Sequence, residues 1–260
     1  MFFFIFLLLF SSCSKEEAPE IELDLVYLES QHKISLLPPL QLQAKPIYPW
    51  NRQGGSQFPI ISKEFFRCKG SSMNVEKQKD DGTVLQDCNG KHSLPIVEGK
   101  EFVYPILIDL LNYIQKITQK RVIVTSGHRC PKHNTYADPS AYNRTAKHMI
   151  AAEVDFYVQG LELEPKAIVK IIEQYFQENP SYEGQSKYQK FSPYLGPTNV
   201  SSVPIRNEEV FVKIYGKDEG RDFDNRHPYP YINVQVRFDR ELGKKVFYSW
   251  NRAYNQYFRY

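Results

Sequence analysis

The sequence predicts an α+β fold in which helices pack on a central, largely antiparallel sheet. Apolar residues recur at helical spacing in two segments, 101–120 and 164–178. Three later segments, 209–215, 231–239 and 244–250, read as strands, and a connection of hairpin length joins the last two. Helices followed by neighbouring strands are typical of an α+β domain.

The elements before the first helix are short. Apolar and acidic residues alternate over 21–28, which predicts a strand, whereas repeated proline between 37 and 61 predicts extended chain. Residues 65–88 predict a hairpin, because the apolar runs FFRC and TVLQDC flank the turn signal DDG at 80–82. The apolar segment RVIVT at 121–125 follows the first helix and predicts a buried strand.

Composition narrows the class of protein. The chain has 260 residues, of which 42% are hydrophobic and 24% charged, so it is globular rather than disordered or collagen-like. Its net charge of +3 lacks the strongly basic character expected of a nucleic-acid-binding protein. We therefore expect no nucleic-acid partner.

The N-terminus resembles that of an exported bacterial lipoprotein. Nine apolar residues, FFFIFLLLF, are too few to span a bilayer but match the apolar core of a signal peptide. Two serines then precede Cys13, as in a lipobox, although no basic residue precedes the apolar run. We expect a signal peptide at 1–12, a lipid on Cys13 that anchors the chain to the membrane of the cell envelope, a tether and wrapping segment at 13–60, and one domain at 61–260.

Exported proteins fold in an oxidising compartment, where the other three cysteines could form a disulfide. The predicted hairpin carries Cys68 and Cys88 at its two ends, which predicts a disulfide between them. A Cys88–Cys130 bridge and three free thiols are the alternatives. One thiol is left over in either bridged case.

A polar segment between the buried strand and the second helix carries the candidate chemistry. It contains SGHRCPKHN at 126–134 and KHMIAAEVDFYV at 147–158. His148 and Asp155 offer imidazole and carboxylate, both ligands of first-row metals. A catalytic zinc ion needs three protein ligands, and the spacing of this pair by itself is more typical of a hydrogen-bonded loop anchor than of a metal site.

The segment SGHRC, followed by a histidine and by an aspartate seven positions later, resembles the zinc D-Ala-D-Ala carboxypeptidase family, whose fold is shared with the hedgehog signalling domain. The similarity covers 121–158 well and 209–240 loosely. It implies that Arg129 contacts substrate and that His148 and Asp155 bind Zn²⁺. The implied substrate is the peptidoglycan stem peptide.

The chain departs from the family at the end of this pattern. Asn233 stands where the third zinc ligand is usual, and Pro230 stands where the acidic general base is usual. A neutral amide is a weak ligand beside imidazole. His227 as third ligand and Asp224 as base would restore a zinc peptidase of the cell envelope. The alternative is a catalytically inactive lipoprotein that keeps the peptidase fold as a binding or structural module.

Overall fold

A computed structural model describes residues 58–90, 92–138, 147–220, 226–248 and 253. The predicted signal peptide, the lipidation site Cys13, most of the tether and Asp224 lie outside these residues. Within them, the predicted α+β class is confirmed as a six-stranded antiparallel sheet accompanied by a few helices. None of the helices in these ranges combines the length and the apolar composition needed to cross a membrane.

Two short ribbons precede the first long helix. They are β1 (Lys77–Gln78) with β2 (Val84–Leu85) and β3 (Ile96–Val97) with β4 (Lys100–Glu101). The hairpin predicted over 65–88 is therefore present only around its turn at Gly82. Its first apolar run instead contributes to a 3₁₀ helix, Lys63–Phe66, because Phe66 is buried in the hydrophobic core.

Both predicted long helices are present. The helices are α1 (Pro105–Thr118), α2 (Pro131–Ala137), α3 (Pro165–Glu178) and α4 (Ser186–Gln189). The first begins later than predicted because Glu101 pairs in β4 and proline at position 105 suits a first helical turn. The short α2 arises within the polar segment that was expected to be a loop.

The main sheet has the strand order β5-β6-β10-β9-β8-β7, with every neighbouring pair antiparallel. Its strands are β5 (Val122–Ser126), β6 (Glu153–Val158), β7 (Ser192–Pro193), β8 (Ile205–Arg206), β9 (Val210–Tyr215) and β10 (Tyr231–Val236). The strand predicted over 231–239 is interrupted at Arg237, whose backbone N–H donates to the Glu209 carbonyl. Its last two residues form β11 (Phe238–Asp239), which pairs with β12 (Lys244–Lys245) in a separate ribbon.

The neighbouring strands β6 and β10 present different chemistry on their two faces, because successive side chains of a strand alternate. Val154 and Phe156 of β6 join Ile232 and Val234 of β10 in the core that α1 and α3 help to form. Among the intervening residues, Glu153, Asp155 and Asn233 are polar and buried, whereas Tyr157 and Gln235 are half-buried. The helices therefore cover one face of the sheet, and the polar residues of these strands meet on the other.

A β-bulge at the end of β5 prepares the polar face. The register shifts between Val124 and Ser126, so that Ser126 stands opposite Asp155. Bulges of this kind redirect the chain and are common beside functional sites. Here the bulge turns the strand into the segment that carries Gly127 and Arg129.

The 3₁₀ helix Lys63–Phe66 packs against the segment that carries Gly127. The backbone N–H of His128 donates to the Phe66 carbonyl at 2.6 Å. A Cβ atom on Gly127 would lie only 2.5 Å from the Cα of Phe66, so the two backbones approach as closely as glycine allows. The region before α1 therefore supports the loop that leads to Arg129.

Candidate metal centre

His148 is oriented by the backbone of the loop after β5. It lies in a 3₁₀ helix, Lys147–Ile150, and its Nδ1 is 2.6 Å from the carbonyl oxygen of Gly127. A carbonyl can only accept, so Nδ1 carries the proton and Nε2 faces the carboxylates of β6. This is the arrangement that orients metal-binding histidines in proteins.

Two carboxylates of β6 approach the free side of that ring. His148 Nε2 is 3.3 Å from Asp155 Oδ2 and 3.7 Å from Glu153 Oε1. Glu153 and Asp155 lie two residues apart on one strand, so both project from the same face of the sheet. The three side chains thus form a compact cluster of one imidazole and two carboxylates.

Asn233 closes the cluster from the neighbouring strand. It stands directly opposite Asp155 in the register, and its Nδ2 donates to Glu153 Oε1 and to Asp155 Oδ1, both at 2.6 Å. Glu153 also accepts from Gln235 Nε2 at 2.8 Å and from the backbone N–H of Lys147 at 2.6 Å. The asparagine at the expected ligand position therefore acts as a donor that bridges two buried carboxylates.

The donor atoms suit a metal ion in number and spacing. One atom each from His148, Glu153 and Asp155 lies within 4.8 Å of the other two. Ligands bound about 2.1 Å from a tetrahedral zinc ion are about 3.4 Å apart, close to the measured 3.3 and 3.7 Å. The Oδ1 of Asn233 is buried and has no hydrogen-bond partner among the described residues, which leaves a further oxygen at this position. The residues fit a zinc ion or another first-row metal.

Electrostatics couples the three groups. Burial by itself would lower the pKa of His148, but the carboxylates of Glu153 and Asp155 raise it above its ordinary value. Burial would raise the pKa of each carboxyl, yet His148 and the Asn233 amide lower both. Arg129 also contributes to the lowering at Asp155. The two carboxylates are therefore held ionised, which is the form that binds a cation.

Arg129 lies beside the cluster. Its Nε donates to Ser126 Oγ at 2.8 Å, and its Nη2 is 3.6 Å from Asp155 Oδ2. The Arg129 and Asp155 side chains are each 4% exposed. This places a fixed positive charge next to the Asp155 carboxylate.

The structure brings together His148 and Asp155, as predicted, but not His227. That ring packs on Tyr157, with their centroids 4.8 Å apart, and on Tyr229 and Tyr231. It belongs to no metal-binding group among the described residues. The structure therefore does not bring His227 into the group of His148, Glu153 and Asp155, and its assignment as third ligand stays an unsupported prediction.

Glu153 is the residue that joins His148 and Asp155 in the structure, and the sequence reasoning missed it. The signal was available, because a residue two positions before Asp155 on a strand shares its face. Glu153 was overlooked because it follows two alanines in a run that otherwise reads as buried and apolar. The predicted base Asp224 lies outside the described residues, and Pro230 directly precedes β10.

The predicted Cys68–Cys88 disulfide is not formed in the structure. The two sulfur atoms lie 3.7 Å apart, and Cys68, Cys88 and Cys130 are all buried and free. Cys68 and Cys88 therefore lie next to each other, but no disulfide joins them. Cys130 joins them because the loop after β5 passes beside the segments that carry Cys68 and Cys88.

No protein-family model, curated protein or solved structure matches this chain. The resemblance to zinc D-Ala-D-Ala carboxypeptidases therefore stays a prediction that depends on the residues around Arg129, His148 and Asp155.

Proposed function

We propose that this chain is a lipoprotein of the bacterial cell envelope whose folded domain is a metal-dependent, D,D-carboxypeptidase-like module for peptidoglycan stem peptides. The observation that carries the proposal is the cluster of His148, Glu153 and Asp155 beside Arg129. The cluster unites ligands for a cation with a positive charge for an anionic substrate. The resemblance of the surrounding sequence supplies the substrate class.

The chain's own residues would hold and orient the reacting groups. His148, Glu153 and Asp155 would bind the zinc ion, which when bound acidifies water and polarises a carbonyl group. The Gly127 carbonyl keeps the His148 ring turned towards the ion site, and Asn233 keeps both carboxylates in place. Such fixed surrounding groups typically raise metal affinity by about 10- to 100-fold.

Arg129 would recognise the substrate. A stem peptide ending in D-Ala-D-Ala carries a terminal carboxylate, and a planar guanidinium group can form two parallel hydrogen bonds with it. Ser126 holds Nε of the side chain, and Nη2 lies 3.6 Å from Asp155 Oδ2, so the planar group has a fixed orientation beside the cluster. The same charge would favour negative charge developing on a scissile carbonyl.

A second candidate is a module that binds stem peptides without cleaving them. It is favoured by Asn233, whose amide nitrogen already satisfies both carboxylates at 2.6 Å. It is favoured also by burial, since His148, Glu153, Asp155 and Asn233 are each no more than 4% exposed. A catalytic zinc ion needs an open position for water, and a closed polar cluster suits a binding or structural role.

Hydrolysis of a D-Ala-D-Ala stem pentapeptide by the full chain distinguishes the two candidates. The peptidase predicts release of D-Ala that is abolished by a chelator, restored by zinc and lost in His148→Ala and Glu153→Ala. The matched control is His227→Ala, which should keep the activity because His227 lies outside the cluster. Saturable peptide binding without D-Ala release, weakened in Arg129→Ala, would instead establish the second candidate.

Anchoring is tested separately from catalysis. If Cys13 carries the lipid, the chain expressed in bacteria should incorporate radiolabelled palmitate and remain with the membrane after a high-salt wash. Cys13→Ser should abolish both. A chain that is labelled equally well with serine at this position would contradict the lipoprotein proposal.

A further inference from the structure

A second group of potential metal ligands lies apart from the candidate metal centre. Cys68, Cys88 and Cys130 form a separate buried cluster, with exposures of 5%, 2% and 0%. They come from three distant parts of the chain: the turn after the first 3₁₀ helix, the segment after β2, and the loop before α2. Folding therefore gathers every cysteine of the described residues at one point.

The spacing of the sulfur atoms is too long for a disulfide and fits metal binding. A disulfide holds its sulfurs about 2.05 Å apart. Thiolates bound about 2.3 Å from a tetrahedral zinc ion are about 3.8 Å apart, and Cys68 Sγ and Cys88 Sγ are separated by 3.7 Å. A single bridge would also leave the third thiol of this group unused, whereas a metal ion uses all three.

Imidazole groups complete the set of donors. His92 forms a group with Cys88 and Cys130 in which the ligand atoms lie within 4.8 Å of one another, and His133 does so with Cys68 and Cys88. His133 Nδ1, however, is 2.6 Å from Asp87 Oδ1, and both of these side chains are almost fully buried. This contact holds His133 beside the cluster, which favours His92 as the fourth ligand.

Backbone groups also support thiolates at this point. The N–H of Gly90 donates to Cys88 Sγ at 3.4 Å, and the N–H of His133 donates to Cys130 Sγ at 3.3 Å. Hydrogen bonds of this kind stabilise the charged sulfur that binds a metal. Gly90 has a φ of 70°, a conformation suited to glycine, and this turn carries the chain from Cys88 towards His92.

We propose that Cys68, Cys88, Cys130 and His92 bind a structural zinc ion. Three thiolates and one imidazole form a closed tetrahedral set that leaves no position for substrate or water. A cavity of about 350 Å³, lined in part by Cys88, His92 and Lys132, gives an ion access to the cluster.

The ion would join the region before α1 to the loop of the candidate metal centre. Cys130 directly follows Arg129, while the other ligands lie in the region before α1, outside the family resemblance. A bound ion would therefore hold the Arg129 loop in place without taking part in catalysis. Because this site shares no ligand with the His148 cluster, it can be tested independently of the proposed function.

The test uses the full chain carrying His148→Ala, so that the candidate metal centre cannot account for bound zinc. We expect one zinc ion per chain by elemental analysis and, after cobalt substitution, the absorption band of thiolate bound to cobalt. Cys88→Ser and Cys130→Ser should lose the zinc and weaken the band. His92→Ala should keep the thiolate band but bind zinc more weakly. Loss of a residue that only supports a ligand typically weakens metal binding by about 10- to 100-fold, and loss of His92 should exceed that range.

Thiol alkylation of the native chain provides a readout that does not depend on a variant folding. All three thiols should be protected together and become reactive together when a chelator is added. His227→Ala is the control and should bind zinc and cobalt as the parent does. A Cys68–Cys88 disulfide in the purified chain, or cobalt binding without a thiolate band, would overturn the zinc site. Loss of zinc in His133→Ala but not in His92→Ala would overturn the assignment of His92.

Discussion

Replacing Asn233 by alanine removes the donor that bridges the two carboxylates of the candidate metal centre. The change deletes two hydrogen bonds of 2.6 Å, one to Glu153 Oε1 and one to Asp155 Oδ1, at a residue that is 1% exposed. A hydrogen bond to a charged group contributes about 1.5–3 kcal/mol to stability. We expect Asn233→Ala to lower the free energy of unfolding of the metal-free chain by about 4 kcal/mol, from two such bonds.

Urea unfolding of the full chain in the presence of a chelator measures this loss. Gln235→Ala is the matched control, since it removes a 2.8 Å bond to the same Glu153 oxygen from a half-buried position and should cost about 1 kcal/mol. Saturating zinc should shrink the Asn233→Ala penalty, because a bound cation neutralises the same carboxylates. A metal-free loss no larger than that of the control would refute the reasoning, as would a penalty that zinc leaves unchanged.

Two further substitutions test the packing of the loop and the pH dependence of stability. Gly127→Ala should lower the free energy of unfolding by about 3 kcal/mol, because the new Cβ would lie 2.5 Å from the Cα of Phe66. Urea unfolding in the presence of a chelator measures this loss, and a value below about 1 kcal/mol would contradict the close approach. Burial raises the pKa of Glu209, so its ionised form opposes folding above the ordinary carboxyl pKa of about 4.3. Glu209→Gln should therefore stabilise the chain at pH 7, and the gain should disappear below about pH 4. Thermal unfolding across this range measures the difference, and a gain that persists at low pH would assign it to something other than the charge.

Much of the fold could be predicted because its signals are local. The apolar spacing of α1 and α3 identified both long helices, with errors only at their ends. His148 and Asp155 were predicted from a short motif whose two ends lie close together along the chain. The chain between them forms one helical turn and the start of β6, so little long-range folding was needed to bring them together.

The errors at the site arose where distant segments meet. His227 was proposed from its nearness in sequence to β10, but its ring packs among tyrosines instead. Glu153 became part of the site through strand alternation and through its bond to Asn233, which lies 80 residues later. No local pattern specifies the register that sets Asn233 opposite Asp155.

By itself, the sequence determined the α+β class, the two long helices and the pairing of His148 with Asp155 as neighbouring donors. The class and the helices follow from periodicity, and the His148–Asp155 pair follows from a short motif that resembles a known family; both signals act within a short stretch of chain. Only the tertiary structure decided that Glu153 and Asn233 complete that cluster and that Cys130 meets Cys68 and Cys88. Both outcomes depend on which strands and loops pack side by side, and that choice is made by the burial of the whole core.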